Sequence, residues 1–362
     1  MPRDHSIDAL REQIDRIDDQ LVALLNRRAK IVTRVAESKR KANQAFFRPA
    51  REKRVYQRVE ALNKGPLRRE DMRSIYREII AACLTLEQPM RVACLGPAGT
   101  FSHQAVREQF GDAADAVTLS SIGEVFDEVE HRRVHYGVVP VENSTEGVVA
   151  ATLDRFVSSN LRVKAEILLR IDQCLMSKSG SADRVKRIVS HPQSLGQCRQ
   201  WLAQNFARVP QEEVSSNAHA AEVAKRDAKA AAIAGRIAAE HYGLKIVAEN
   251  IQDQSENLTR FFVIAHDGEG RPSGEDKTTL LVSVSHESGA LYNVLKPFSD
   301  HGVNLCSIDS RPLKGRPWEY VFFLDLVGHS TDKRVIEALE AVRKRSLFLK
   351  VLGSYPAALR PV

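Results

Sequence analysis

Cysteine is scarce in this 362-residue chain: five thiols, at positions 83, 94, 174, 198 and 306. They form no close pairs and no metal-ligand spacing, so a disulfide framework and a zinc-organised fold are set aside. They read as reduced core or pocket residues of a cytoplasmic protein. The 11 histidines form no metal motif either. No leader of the secretory type precedes the first helix, and no run approaches the ~20 apolar residues of a membrane span. The glycine turn at residues 96–99 lacks the Gly-Lys-Ser/Thr ending of a nucleotide-binding loop.

What is present begins with an apolar seam and one misfit. Ile7, Ile14, Leu21 and Val35 hold one position of a seven-residue pattern, and Leu10, Ile17, Leu24 and Ile31 hold the other. This is the packed face of a long helix in a coiled-coil-like bundle. Arg28 falls on that seam. A guanidinium buried there without an anion costs on the order of several kcal/mol. Three readings follow: the helix frays at this point, the arginine snorkels to solvent, or an anion inside the bundle meets it. Lys39 supports the third. It lies eleven residues on, and three turns of about 3.6 residues return it to nearly the same face. Arg11 lies roughly 100° around the helix and about 25 Å away along it. It suits a second copy of the site, with two protomers lending arginines to each other.

The charge is localised. Residues 1–88 carry 20 Lys+Arg against 13 Asp+Glu, a net of +7; the whole chain carries 53 against 46, also +7, so the remainder is neutral. A basic excess serves nucleic acid, acidic lipid or small polyanions. Cations on a seam, rather than on an outer face, favour a small acidic ligand.

Pro49 fits the first position of a second helix containing Arg51, Glu52, Val55, Val59 and Leu62, ended by Gly65-Pro66. A third helix is expected from about Glu70 to Leu86, with Met72, Ile75, Ile79, Cys83 and Leu86 inward and Glu87 at its end. Fewer than 90 residues in three helices make a small core, so dimerisation is expected.

Over residues 6–88 this segment resembles the small all-helical chorismate mutases, on Leu10-Arg11-Glu12, Arg27-Arg28, Lys39, Arg51-Glu52 and the Ile79-Ile80 helix ending at Glu87. The resemblance implies rearrangement of chorismate to prephenate by holding a dicarboxylate in its reactive shape and stabilising charge on the breaking ether oxygen. By position, Arg11 of a partner chain, Arg28 and Arg51 would clamp carboxylates. Lys39 would donate to the ether oxygen, Glu52 would bind the substrate hydroxyl, and Arg48 and Cys83 would line the pocket. Some members carry glutamine where this chain has Glu87. A glutamate donates only when protonated, so mutase activity is expected to fall as Glu87 ionises.

Beyond Gln88-Pro89 the pattern changes to alternating strands and helices, with polar clusters at strand ends. Arg91–Leu95 runs into Gly96-Pro97-Ala98-Gly99-Thr100-Phe101-Ser102, a turn whose amides can face an anion at a helix start. Tyr136–Val139 runs into Pro140-Val141-Glu142-Asn143-Ser144; Arg187–Ser190 runs into His191-Pro192-Gln193-Ser194. Ala230–Ala234 is followed by a helix at Arg236–Tyr242, and Asn257-Leu258-Thr259-Arg260-Phe261 opens a last strand. Polar residues past strand ends are where open α/β sheets place ligands. Two lobes around a cleft are expected.

These four motifs together resemble prephenate dehydratase. That implies loss of carbon dioxide and the ring hydroxyl from prephenate, with a proton donor at the hydroxyl. The family's Thr-Arg-Phe threonine is associated with activity, so Thr259 is expected nearest that step, working through hydrogen-bonded neighbours, Glu142 among them. Arg260 and the amides near Thr100 and Ser102 would hold carboxylates, unless Arg260 is structural. Asn143, Ser144, Gln193 and Ser194 are expected polar contacts, and Phe261 a cleft wall.

Residues 266–277 have no apolar periodicity and read as a linker. A strand (278–285), helix (289–300), strand (303–310), strand (319–327), helix (331–344) and strand (347–353) follow, the βαββαβ order of a ferredoxin-like domain. Gly289-Ala290-Leu291 and Asp309-Ser310-Arg311-Pro312 resemble the two motifs of the phenylalanine-binding ACT domain, where the second motif usually opens with glutamate. The resemblance implies L-phenylalanine as a feedback effector held by these residues and Asn304, between paired domains.

The expected organisation is therefore an all-α, dimerising mutase bundle (1–89), a two-lobed α/β dehydratase domain of periplasmic-binding-protein-like form (90–267) and an α+β ACT domain (276–362). A homodimer forms through the mutase helices, with a higher oligomer through the ACT domains left open. Neither reaction transfers electrons, so no cofactor is implied; the cysteines and histidines imply no metal, and neither nucleic acid nor membrane is an expected partner. Two rivals are weighed: a small-molecule-sensing regulator with a basic nucleic-acid-binding head, and a solute-binding protein. The seam position of Arg28 and the Thr259–Phe261 motif count against the first, and the missing leader against the second.

Overall fold

The computed structural model describes residues 6–42, 46–266, 270–312 and 320–358. Part of the expected linker and the first residue of the strand expected at 319 lie outside them.

Three helices come first: α1 (Ile7–Lys41), α2 (Pro49–Leu62) and α3 (Arg69–Glu87). The Ser6 hydroxyl caps α1 by accepting from the amide of Ala9, and Pro49 opens α2 at its first turn, where no amide donor is needed. The carboxyl end of α1 packs on α3. The rest of α1 projects without cover: among its residues only Ala36 is buried. Ten large apolar side chains, Ile7, Leu10, Ile14, Ile17, Leu21, Val22, Leu24, Leu25, Ile31 and Val35, are exposed.

The next domain runs β1 (Arg91–Leu95), α4 (Phe101–Phe110), β2 (Asp115–Leu119), α5 (Ile122–Glu130), β3 (Tyr136–Asn143), β4 (Gly147–Val148), α6 (Ala150–Ser158) and β5 (Arg162–Arg170). It continues with β6 (Cys174–Ser177), β7 (Arg187–Ser190), α7 (Pro192–Gln197), α8 (Arg199–Asn205), β8 (Gln211–Glu213), α9 (Asn217–Arg226), β9 (Ala230–Ala234), α10 (Arg236–Tyr242), β10 (Lys245–Ala248) and β11 (Leu258–Ala265). The first lobe's sheet has the order β2-β1-β3-β11-β5, with β4 on β3; the second lobe's order is β10-β6-β9-β7-β8. The chain crosses between lobes twice, after β5 and before β11. The segment Pro140–Asn143, expected as a loop, belongs to strand β3. Its ladder with β11 skips Val141 at a shift between Arg260 and Phe261, next to a proline that has no amide to donate.

The last domain has β12 (Asp276–Ser283), α11 (Ala290–Asp300), β13 (Leu305–Pro312), β14 (Tyr320–Val327), α12 (Lys333–Arg343) and β15 (Phe348–Pro356). Its antiparallel sheet has the order β13-β14-β12-β15. One sheet face is covered by α11 and α12, through Leu280, Val282, Val294, Phe298, Leu324 and Val342. The other packs on the first lobe: Leu281, Phe323, Leu352 and Tyr355 share a core with Phe262, Ile264, Leu161 and Val163. A side chain at Gly353 would sit 2.2 Å from the Val163 carbonyl oxygen, so glycine alone allows this approach.

Strand alternation in β11 decides the site. Phe261 and Val263 face one core with Phe110 and Ile167; Phe262 and Ile264 face the other, shared with the last domain. Thr259 therefore points with Phe261, and Arg260 with Phe262.

Candidate active sites and effector region

In the helical segment Arg28 is met from α3: its Nη1 lies 2.7 Å from the Cys83 sulfur. Lys39 Nζ donates to Glu87 Oε2 at 2.7 Å and to the Phe46 carbonyl at 3.2 Å. Arg40 donates to the Glu87 carbonyl. Glu52, from α2, is buried and lies in the field of Lys39. Burial pushes its carboxyl up to about 8, against the opposing pull of Lys39 and of the Gln109 amide, 3.3 Å away. Arg28, Lys39, Glu52, Cys83 and Glu87 thus converge on one place. Arg51 is exposed on α2, and Arg48 is half-buried at its start. Arg11 does not join them: its side chain is 73% exposed and its recorded partner is Asp8 at 3.5 Å.

In the two-lobed domain the Thr259 hydroxyl accepts from Asn143 Nδ2 at 2.8 Å. The same nitrogen donates to Asn257 Oδ1 at 2.8 Å. Asn143 Oδ1 accepts from the amides of Thr145 and Glu146 and from the Thr145 hydroxyl. These contacts fix the amide's orientation and leave the Thr259 hydrogen free to donate. Ser144 bridges the same strand ends, its hydroxyl donating to the Glu256 carbonyl and accepting from the Leu258 amide. Asn143, not Glu142, is therefore the neighbour of Thr259. Glu142 points to the other side of the sheet, into a narrow cavity with Arg260, Thr279, Ser307, Asp309 and Asp325.

Arg260 is placed away from the cleft. It donates to Glu166 at 2.8 Å, Asp325 at 2.5 Å and the Tyr355 hydroxyl at 3.0 Å, and its guanidinium lies 4.7 Å from the Phe262 ring centroid. Burial alone would raise Glu166, but Arg260 and Lys277 hold it below the ordinary carboxylate range. The structural reading of Arg260 replaces the carboxylate-binding one, because successive strand residues face opposite ways and the last domain covers this side.

Thr100 caps α4, its hydroxyl donating to the Leu95 carbonyl and accepting from the His103 amide. Ser102 is buried in the first turn of α4, and Phe101 presses on Gly235, where a side chain would meet its ring at 2.7 Å. The Tyr242 hydroxyl donates to the Ala98 carbonyl and Arg107 pairs with Glu240 at 2.8 Å, so the lobes touch at this end. Across from it Ser194 is saturated by Asn217 and Gln173; it serves as scaffold. Gln193 is exposed on α7. Sequence reasoning missed Asn217, Gln173 and the tie of Asn257 to Asn143. The Ser216-Asn217 start of α9 was the available signal. Burial pushes the Cys94 and Cys198 thiols up to about 12, which removes them as nucleophiles.

In the last domain Gly289 stands at φ +80° before α11, a left-handed position that favours glycine. Ser310 pairs with Phe322 on the helix-covered side, whereas Asp309 pairs with Phe323 on the side that packs on the first lobe. Arg311 donates to Asp154 at 3.2 Å. Ala290 and Leu291 open α11 beside Gly289, and Pro312 ends the strand. Asn304 lies at the other end of the sheet, its carbonyl accepting from Val327, which pairs with Lys277 at the start of β12, and alternation takes Asp309 and Arg311 away from Ser310. Among the described residues no helix is long and apolar enough to cross a membrane.

A cation-lined helical pocket, a two-lobed domain with an oriented hydroxyl and a βαββαβ domain together define a multidomain enzyme of small acidic substrates. Family models match in the same order: chorismate mutase type II over residues 10–88, prephenate dehydratase over 92–269 and the ACT domain over 278–344. The bifunctional chorismate mutase/prephenate dehydratase of Aquifex aeolicus is 48% identical, covering 97% of this chain and 98% of its own. That of Pseudomonas aeruginosa is 43% identical over the same shares. The crystal structure of prephenate dehydratase from Arthrobacter aurescens in complex with L-Phe is similar at a TM-score of 0.69 and 34% identity, covering 74% of this chain and 90% of that one. The chain belongs to the bifunctional chorismate mutase/prephenate dehydratase family.

Proposed function

We propose that the helical domain rearranges chorismate to prephenate and that the two-lobed domain converts prephenate to phenylpyruvate, carbon dioxide and water, under feedback by L-phenylalanine. The carrying observation is the end-to-end likeness to relatives named for both activities. In the first reaction Arg28 and a partner's Arg11 hold the two carboxylates, with Arg48 and Arg51 at the rim. Lys39 turns its ammonium from Glu87 toward the ether oxygen, and Glu52 takes the ring hydroxyl. In the second, aromatisation drives the loss of carbon dioxide. Thr259, oriented by Asn143, donates a hydrogen bond to the departing hydroxyl, which takes up a proton from solvent and leaves as water, while the amides at the start of α4 receive a carboxylate.

The active unit is a homodimer through α1, because burying each of its ten exposed apolar side chains is worth about 1.5–3 kcal/mol. The effector sits at Gly289–Leu291 and Ser310, at the edge strand β13, where a second domain can pair. The compartment is the cytoplasm, in keeping with five unpaired thiols.

Assays of both steps, with and without L-phenylalanine on protein of measured solution mass, test this reading. Both turnovers and a dimer or larger assembly are expected, with the rate falling on addition of the amino acid; salt-dependent DNA binding without turnover would replace the reading by the regulator. Glu87→Gln should give a flatter mutase pH profile than the parent. Glu52, which burial pushes up to about 8, is unchanged between the two enzymes, so the comparison isolates Glu87. Superimposable curves would remove Glu87 as a donor.

A further inference from the structure

Helix α2 carries two adjacent buried charges that look to different domains. Glu52 faces the mutase pocket and is touched from the dehydratase helix α4 by Gln109. Lys53 is 5% exposed and leaves the helical domain altogether. Its ammonium lies 2.9 Å from Glu275 Oε2, and donates to the Glu275 carbonyl at 3.0 Å and the Ala357 carbonyl at 3.4 Å. Glu275 precedes the first strand of the ACT domain and Ala357 follows its last, and the Ala357 amide closes on the Glu275 carbonyl at 2.9 Å. One residue further, the Ala358 amide donates to Glu166, the carboxylate that holds Arg260 beside Thr259.

A buried ammonium is costly unless its three hydrogens are met. Here each has an acceptor, and all three acceptors belong to the paired ends of another domain. A lysine kept only to cover apolar surface would leave its head in water. We propose that Lys53 is a positioning residue for the mutase reaction: by anchoring α2 to the joined ends of the ACT domain, it sets the place of Glu52 in the chorismate pocket. The mutase site is then finished by the two domains that follow it in the chain.

The proposal rests on the helical domain being the mutase, and a full-length parent that leaves chorismate unconverted would strike that reading rather than this one. The test uses full-length Lys53→Met and Lys53→Arg, each assayed separately with chorismate and with prephenate. Glu52 contacts a substrate hydroxyl in ground and transition states alike, so its displacement should act chiefly on KM. Lys53→Met is expected to lower mutase kcat/KM about tenfold, a modest misplacement of one contact, mostly through KM. Dehydratase turnover should stay within about twofold of the parent, which also reports folding, and Lys53→Arg should recover a large part of the loss. Mutase constants unchanged in Lys53→Met, or the two activities falling in parallel, would overturn the proposal.

Discussion

Thr259→Ala should abolish phenylpyruvate formation while chorismate consumption stays near that of the parent. The expected fall is on the order of 10²–10³, the range for loss of one preorganised hydrogen-bond donor at developing charge. The argument is geometric. Thr259 is nearly buried at the mouth of β11, and its oxygen already accepts from Asn143, so its hydrogen is directed elsewhere. Asn143 cannot rotate freely, because three donors converge on its carbonyl oxygen. A threonine hydroxyl is a weak acid, so its service is a hydrogen bond to the leaving hydroxyl, placed in advance. Alanine removes that bond and leaves a small void without touching Arg260 or the domain contact behind it. The mutase pocket lies on other elements, and its activity is the internal control. Loss of both activities would mean that the substitution unfolds the chain, and an unchanged dehydratase rate would take Thr259 out of the reaction.

Residues of the site were legible in the sequence wherever a local pattern carried them. The heptad seam placed Arg28 and Lys39 on one face of α1, and the structure sets them toward Cys83 and Glu87. Strand-end clusters brought out Asn143, Ser144 and Thr259 in the same way. What escaped depended on partners remote in sequence. Alternation along β11 was enough to say that Arg260 and Thr259 face oppositely, but which side meets substrate is decided by Asp325 and Tyr355, from a domain that begins after the linker. The same alternation divides Asp309 from Ser310 in β13, although a contiguous motif invites reading them as one contact. Strands β2, β4, β5, β6, β8 and β10 were not picked out, although Ser159-Asn160 precedes β5 and Gly243 precedes β10; their places depend on ladder partners remote in sequence. The order of the second lobe's strands, with antiparallel β6 beside β9, has no sequence signal at all.

Pure Arg11→Ala and Arg28→Ala proteins should each have little mutase activity, and their mixture should recover it. Within one chain the two guanidiniums are 17 residues apart on a single helix, about 25 Å at ~1.5 Å per residue, so one dicarboxylate cannot span them. The exposed stripe from Ile7 to Val35 supplies the surface on which a second α1 would lie. In a two-fold dimer, residue i of one protomer meets residue j of the other twice over. Each pocket then takes Arg28 from its own chain and Arg11 from its partner. A mixed dimer of the two variants holds one pocket with both arginines and one with neither. Random exchange of equal amounts makes half the dimers mixed, so about a quarter of parental mutase activity should return under this symmetry. Dehydratase activity should remain at the parental level throughout, since its residues lie in neither helix face. Recovery fails if both arginines act within one chain, and no recovery after demonstrated subunit exchange would refute the shared pocket.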